Sequence, residues 1–184
     1  MAKYKGYEKD VGNRTDLSGI NYVKCNQVLQ CFSKQKKKCP AYKELLALRK
    51  SIILLTVFTD GLKTKARFRR HMAFVDMLYK SGIKFDIRVS AEGATAAIKM
   101  FWKLSKMPTA GIRGIAIALT MCRSVSAYGF YTSTVSPSGK PVPYHYFDHM
   151  KLGGYRSHNF SEEQVVLSEL NRNQVIRMVT DRCN

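Results

Sequence analysis

Apolar residues recur along this chain with two different periods, and the changes from one to the other mark its elements. Residues Pro40 to Lys50 have the spacing of a helix and lead into Ser51-Ile-Ile-Leu-Leu-Thr-Val-Phe58, a run with the length and branching of a buried strand. Phe68, Met72, Val75 and Tyr79 then recur at helical spacing, and Gly82 is placed to stop that helix. Lys84 to Val89 alternates as a second strand. Ala94, Ala97, Ile98 and Phe101 mark a further helix face, with Trp102 beside it. Thr109 to Met121 predicts a helix that packs Ile112, Ile115, Ala116 and Leu119, and Val125 to Phe130 a third strand. Ser161 to Asn171 predicts a helix and Val175 to Val179 a last strand. Residues 1–39 and Ser133 to Lys140, with Pro137 and Gly139, read as loop-rich, and no internal repeat is visible.

Strands separated regularly by helices predict an α/β fold with a mainly parallel sheet covered by helices on both faces. At 184 residues and 45% hydrophobic content the chain can build one sizeable core, so a single domain is expected. No window approaches the ~18 apolar residues of a membrane span. The start, Met1-Ala-Lys-Tyr-Lys5, lacks the apolar stretch of a signal region.

A net charge of +18 implies either an anionic partner or a strongly basic, solvated surface. The charge is spread out, with one run at Lys34, Lys36, Lys37 and Lys38 and another at Lys63, Lys65, Arg67, Arg69 and Arg70. His71, beside that second run, is expected at the surface. A non-catalytic basic module that binds polyanions, nucleic acid among them, would account for such a balance. Against nucleic acid stands the absence of a zinc-finger spacing or an RNP-type aromatic motif. No Asp-x-Asp occurs, so no metal site is implied.

Cys25, Cys31 and Cys39 lack the Cys-x-x-Cys spacing of a zinc site, and a local disulfide among them is possible in an oxidising compartment. Cys122 has the setting of a small buried residue on an apolar helix. Pro108 ends one segment, Thr109 can cap the next helix, and Gly111 permits close approach to the amides of its first turn, where an anion would be favoured.

Four motifs then follow one another: Pro108-Thr-Ala-Gly111 running to Leu119-Thr-Met-Cys122, Tyr128-Gly-Phe-Tyr131, Tyr144-His-Tyr-Phe-Asp148, and His158 with Glu163 five positions on. In this order they resemble the eukaryotic sialyltransferases: the small sialyl motif, the third motif and the very small motif. Lys9-Asp-Val-Gly-Asn-Arg-Thr-Asp16 is similar to the end of the large motif in the alpha-2,8 branch. The resemblance implies a Rossmann-like fold, a GT-A-like variant, and an N-terminally truncated catalytic domain. Residues 1–39 would be the remnant of the large-motif region, and 40–184 the α/β core. The opening of the large motif, with half of the donor site, would lie upstream of Met1, so donor binding, and with it the activity of this fragment, is expected to be weak or absent.

The resemblance further implies CMP-sialic acid as donor, no metal cofactor, and a sialylated glycoprotein or glycolipid as acceptor. It places the family in the Golgi lumen behind an N-terminal membrane anchor that this sequence does not contain. Donor contacts fall on Thr109, Ala110, Gly111, Tyr131, Tyr144 and His145. Thr-Ala stands where Ser-Thr is usual, and Tyr131 where Trp is usual, so a hydroxyl contact is lost and an aromatic face reduced. His145 would face the leaving phosphate, while His149, one helical turn further on, has no counterpart. His158 would be the catalytic base, inverting the anomeric centre, and Glu163 its support. Cys122 and Cys183 match family cysteines whose disulfide partners are absent here. Two glycosylation sequons exist, at Asn13 and at Asn159, and the second abuts His158.

Overall fold

Among the described residues five short strands carry the architecture of the computed structural model, and the three pairings between them are all parallel. The structure describes residues 6–35, 38–56, 64–91, 93–130, 141–142, 145 and 157–180. It is the expected Rossmann-like α/β type, with helices leading from each strand to the next. The described residues form two compact units, one from 13 to 94 and one from 95 to 180 together with 6–12.

In the first unit β1 (Leu17–Ile20), β2 (Ile52–Leu55) and β3 (Asp86–Val89) lie in that order, with Leu17 opposite Ile52 and Ile52 opposite Asp86. The central strand β2 is apolar on both faces, with Ile53 and Leu55 fully buried and Ile52 and Leu54 half-buried. That is why its sequence is a continuous apolar run instead of an alternation. Helix α2 (Tyr22–Gln35) packs against α3 (Pro40–Leu46) and α4 (Thr64–Lys80). Ile20, Val28, Tyr42, Leu45, Phe74 and Leu78 complete this core. Each such side chain contributes ~1.5–3 kcal/mol by leaving water.

The second unit contains α1 (Glu8–Val11), α5 (Ala94–Phe101), α6 (Ala110–Met121), β4 (Ser126–Tyr128), α7 (Phe160–Arg172) and β5 (Arg177–Val179). Strands β4 and β5 pair with Ala127 opposite Met178. Leu104, Ile112, Ile115, Ala127, Val166, Leu167 and Ile176 form its core, with Leu119 packed against them. The apolar face expected for the 109–121 helix is thus the face that α6 buries. No helix of the described residues is long and apolar enough to cross a membrane.

Four expectations are corrected. Residues 1–39, expected to be loop-rich, hold β1 and the fourteen-residue α2. The signal was Cys25, Val28, Leu29 and Phe32, a helical stripe in which cysteine acts as a core residue. In α4 the buried stripe is His71, Phe74 and Leu78, whereas Phe68, Met72 and Tyr79 are 42%, 46% and 84% exposed. The two stripes lie roughly 100° apart around a helix of 3.6 residues per turn, and both are periodic. His71, expected at the surface, is 1% exposed. Its Nδ1–H donates to the Arg67 carbonyl at 2.8 Å, which lets a polar ring sit within the α4 packing. In α5, finally, Phe101 is 80% exposed and Thr95 is the buried residue. Phe101 lines an open apolar groove of about 970 Å³ with Ile98, Trp102 and Leu119.

The three cysteines of the first unit resolve into a Cys31–Cys39 disulfide and a free Cys25. The bridge ties the end of α2 to the N-cap of α3, where the Cys39 sulfur accepts from the Tyr42 amide. Burial pushes the Cys25 thiol up to about 12.

Candidate active site at the start of helix α6

The connector Leu104-Ser-Lys-Met-Pro-Thr109 enters α6, and the first turn of α7 with the residues just before it holds alternate positions of that connector. Glu162 Oε2 accepts from the Ser105 amide at 2.7 Å and from the Ser105 hydroxyl at 2.9 Å. The Met107 carbonyl lies 2.7 Å from His158 Nδ1. Glu163 accepts from the Thr109 amide at 2.7 Å and from the Thr109 hydroxyl at 2.5 Å.

Local sequence accounts for both ends of this clamp. Thr109 is the N-cap of α6, its hydroxyl oxygen accepting from the Ile112 amide at 3.3 Å. Asn159 caps α7 by accepting from the Glu162 amide, and its own amide group donates to the Ser105 hydroxyl. Glu162 and Glu163 occupy the first turn of α7, where acids favour the helix dipole.

Glu163 is 6% exposed, so its charge must be met inside the protein. Its partners are the two Thr109 donors at the positive end of α6, and each such charge-assisted bond contributes ~1.5–3 kcal/mol. The Ser105 hydroxyl, and after it the Ser105 amide, hold the Glu162 carboxyl below the usual carboxylate range. Arg113, one turn into α6, is half-buried; loss of solvent lowers its pKa from the ordinary value, and the charge of Glu163 opposes that shift. The Arg113 Nε is buried and has no hydrogen-bond partner among the described residues.

His158 is half-buried, with the Phe160 ring 6.1 Å away. A carbonyl can only accept, so the Met107 contact places a proton on Nδ1. In the neutral imidazole the lone pair is then on Nε2, the form that a general base requires.

The expected donor-binding residues are placed as follows. Ala110 is exposed at the first position of α6 and Gly111 is half-buried. Among the described residues nothing accepts from either amide. Thr109, by contrast, has its hydroxyl engaged on both sides, by Glu163 and by Ile112. The close approach that Gly111 permits is taken up by Phe130: a Cβ at 111 would lie 2.9 Å from Phe130 Cε1. His145 is half-buried, so neither it nor His158 is sunk in the apolar core. Tyr131, Tyr144, His149 and Cys183 lie outside the described residues.

Cys122 is corrected: it is an exposed free thiol at the C-cap of α6, because the helix ends there and turns it away from the buried Ile112 and Ile115 stripe. Sequence reasoning also passed over Glu162, the Met107 carbonyl and Arg113. A backbone carbonyl leaves no mark in a sequence. Arg113 does leave one, as the only charged residue among the twelve of α6.

The model of glycosyltransferase family 29 (sialyltransferase) matches residues 1–175. An alpha-N-acetylneuraminide alpha-2,8-sialyltransferase of Xenopus tropicalis is 25% identical over 182 residues, covering 96% of this chain and 50% of the relative. Its counterparts in Xenopus laevis and Bos taurus are 24% and 25% identical, each over 96% of this chain and covering 48% and 49% of the relative. The chain therefore spans about half the length of the curated relatives it matches. Since the family match runs through both units and the whole connector clamp, the chain belongs to glycosyltransferase family 29, the sialyltransferases.

Proposed function

We propose that this site transfers sialic acid from CMP-sialic acid to the hydroxyl of a sialylated glycan, on glycoprotein or glycolipid, in an alpha-2,8 linkage with inversion. The observation that carries this reading is the bond between His158 Nδ1 and the Met107 carbonyl. It orients the ring and leaves Nε2 as the basic atom. His158 then takes the acceptor proton as the hydroxyl oxygen attacks the anomeric carbon, a step typically worth ~10²- to 10⁴-fold in rate. Glu163 supports the base indirectly, by fixing Thr109 two residues beyond Met107. CMP leaves from the opposite face, and a hydrogen bond from His145 to its phosphate that strengthens in the transition state lowers the barrier.

Ala110 and Gly111 offer amides to the donor, and Tyr131 and Tyr144 aromatic faces. With no hydroxyl at Ala110 and Tyr at 131, donor binding is expected to be weak. The reading requires no metal, because one phosphate can be met by protein donors. It places the site in the Golgi lumen, where the family's donor is used.

The test is CMP release from CMP-sialic acid at millimolar concentration with a disialylated acceptor. Slow release that His158→Ala abolishes is expected. Release undiminished in His158→Ala, or none at saturating donor, would overturn the assignment.

A further inference from the structure

We propose that Arg113 grips an anionic oxygen of the nucleotide-sugar donor, on its phosphate or its carboxylate, so that the first turn of α6 recognises the donor by charge as well as by backbone amides. This rests on the donor reading above.

Arg113 is the one charged side chain of α6, between the buried Ile112 and Ile115. Long side chains on a helix lean toward its N-terminus, which directs that of Arg113 toward the turn holding Thr109 and Ala110, where Glu163 is close enough for its charge to act on it. A half-buried guanidinium in a native protein normally meets an acceptor, since desolvation without one is unfavourable. Here no acceptor among the described residues takes a hydrogen bond from it, and its Nε is closed off from solvent.

The nearby acid does not fill this role. Glu163 is close enough for its charge to act on Arg113. Yet both of its oxygens accept from Thr109, and the ion pairs of the described residues do not include it. A cation whose buried Nε has no acceptor among the described residues, in the same turn as the Ala110 and Gly111 amides, forms a donor set suited to an oxyanion. A guanidinium presents its N–H groups as a planar fork, which matches a phosphate or a carboxylate in two-point contact.

The experiment titrates the full 184-residue chain, followed by heteronuclear NMR, with CMP, which carries the phosphate alone, and with N-acetylneuraminic acid, which carries the carboxylate alone. Arg113→Gln is expected to weaken one of the two by about ten- to a hundredfold, the ordinary range for a lost charge-assisted bond, and to leave the other within about twofold. The ligand that loses affinity identifies the oxyanion. Arg113→Lys keeps the charge and loses the fork, so it is expected to weaken the same ligand by a smaller factor. Should Arg113→Gln fail to fold, Arg113→Lys decides: weaker binding supports the proposal and unchanged binding overturns it. Wild-type affinity for both ligands in both variants sinks the Arg113 assignment and leaves the donor reading standing. A wild-type chain that binds neither of them, nor CMP-sialic acid, at millimolar concentration sinks both.

Discussion

The carboxylate of Glu163 accepts from both the amide and the hydroxyl of Thr109, so an acid in the first turn of α7 closes the first turn of α6, 54 residues earlier in the chain. That one pairing sets the end of the connector whose Met107 carbonyl meets His158.

Removing the carboxylate strands a buried donor. Glu163→Ala leaves the Thr109 amide without its acceptor and is expected to cost ~1–3 kcal/mol in urea unfolding. Glu163→Gln keeps the shape and one oxygen, so a smaller loss is expected. Equal, negligible losses in the two variants would mean that the clamp does not stabilise the second unit.

The contact between Gly111 and Phe130 makes a steric prediction. Adding a methyl group at 111 places it 2.9 Å from the Phe130 ring, so Gly111→Ala is expected to destabilise by ~1–3 kcal/mol as the ring is displaced. Combining it with Phe130→Leu should recover part of that loss. A double variant as unstable as the sum of the singles would show that the ring is not the obstacle.

Thiol labelling distinguishes two environments. The thiolate is the reacting species, and burial holds the Cys25 thiol protonated up to about pH 12. Cys122 is exposed. Iodoacetamide on the native protein at pH 8, followed by peptide mass mapping, is expected to modify Cys122 and leave Cys25 untouched until denaturant is added. Native labelling of Cys25 at a rate comparable to Cys122 would contradict the packing of α2.

Acid should loosen the Ser105 end of the clamp. Glu162 has a folded pKa below its unfolded one, so what it contributes is present above the ordinary carboxylate value and is lost as pH falls through the depressed one. The Ser105 amide resonance is therefore expected to titrate at a pH below the ordinary carboxylate range and to be flat in Glu162→Gln. A midpoint at or above that range would remove Glu162 from the connector.

From Pro40 onward, most helices and strands were legible one by one, because each leaves a local period: the apolar run of β2, the alternation ending in β3, the capped Thr109 of α6 and the acids opening α7. The order of motifs likewise marked His158, Glu163 and the Thr109 turn together. What a period cannot carry is direction. Both stripes of α4 repeat at helical spacing, and only packing against α2 buried His71, Phe74 and Leu78 in place of Phe68, Met72 and Tyr79.

The pairings belong to the tertiary structure alone. His158 to Met107, Glu163 to Thr109 and Glu162 to Ser105 join residues 51 to 57 positions apart, beyond the reach of any spacing rule. The same holds for Phe130 over Gly111 and for the choice of Cys31 with Cys39 over Cys25. The sequence alone determined which elements form and which residue types are available for chemistry, since those follow from local backbone preference and the burial of apolar side chains. Folding decided which polar groups meet, because a hydrogen bond depends on position to within an ångström and that position is set by elements far apart along the chain.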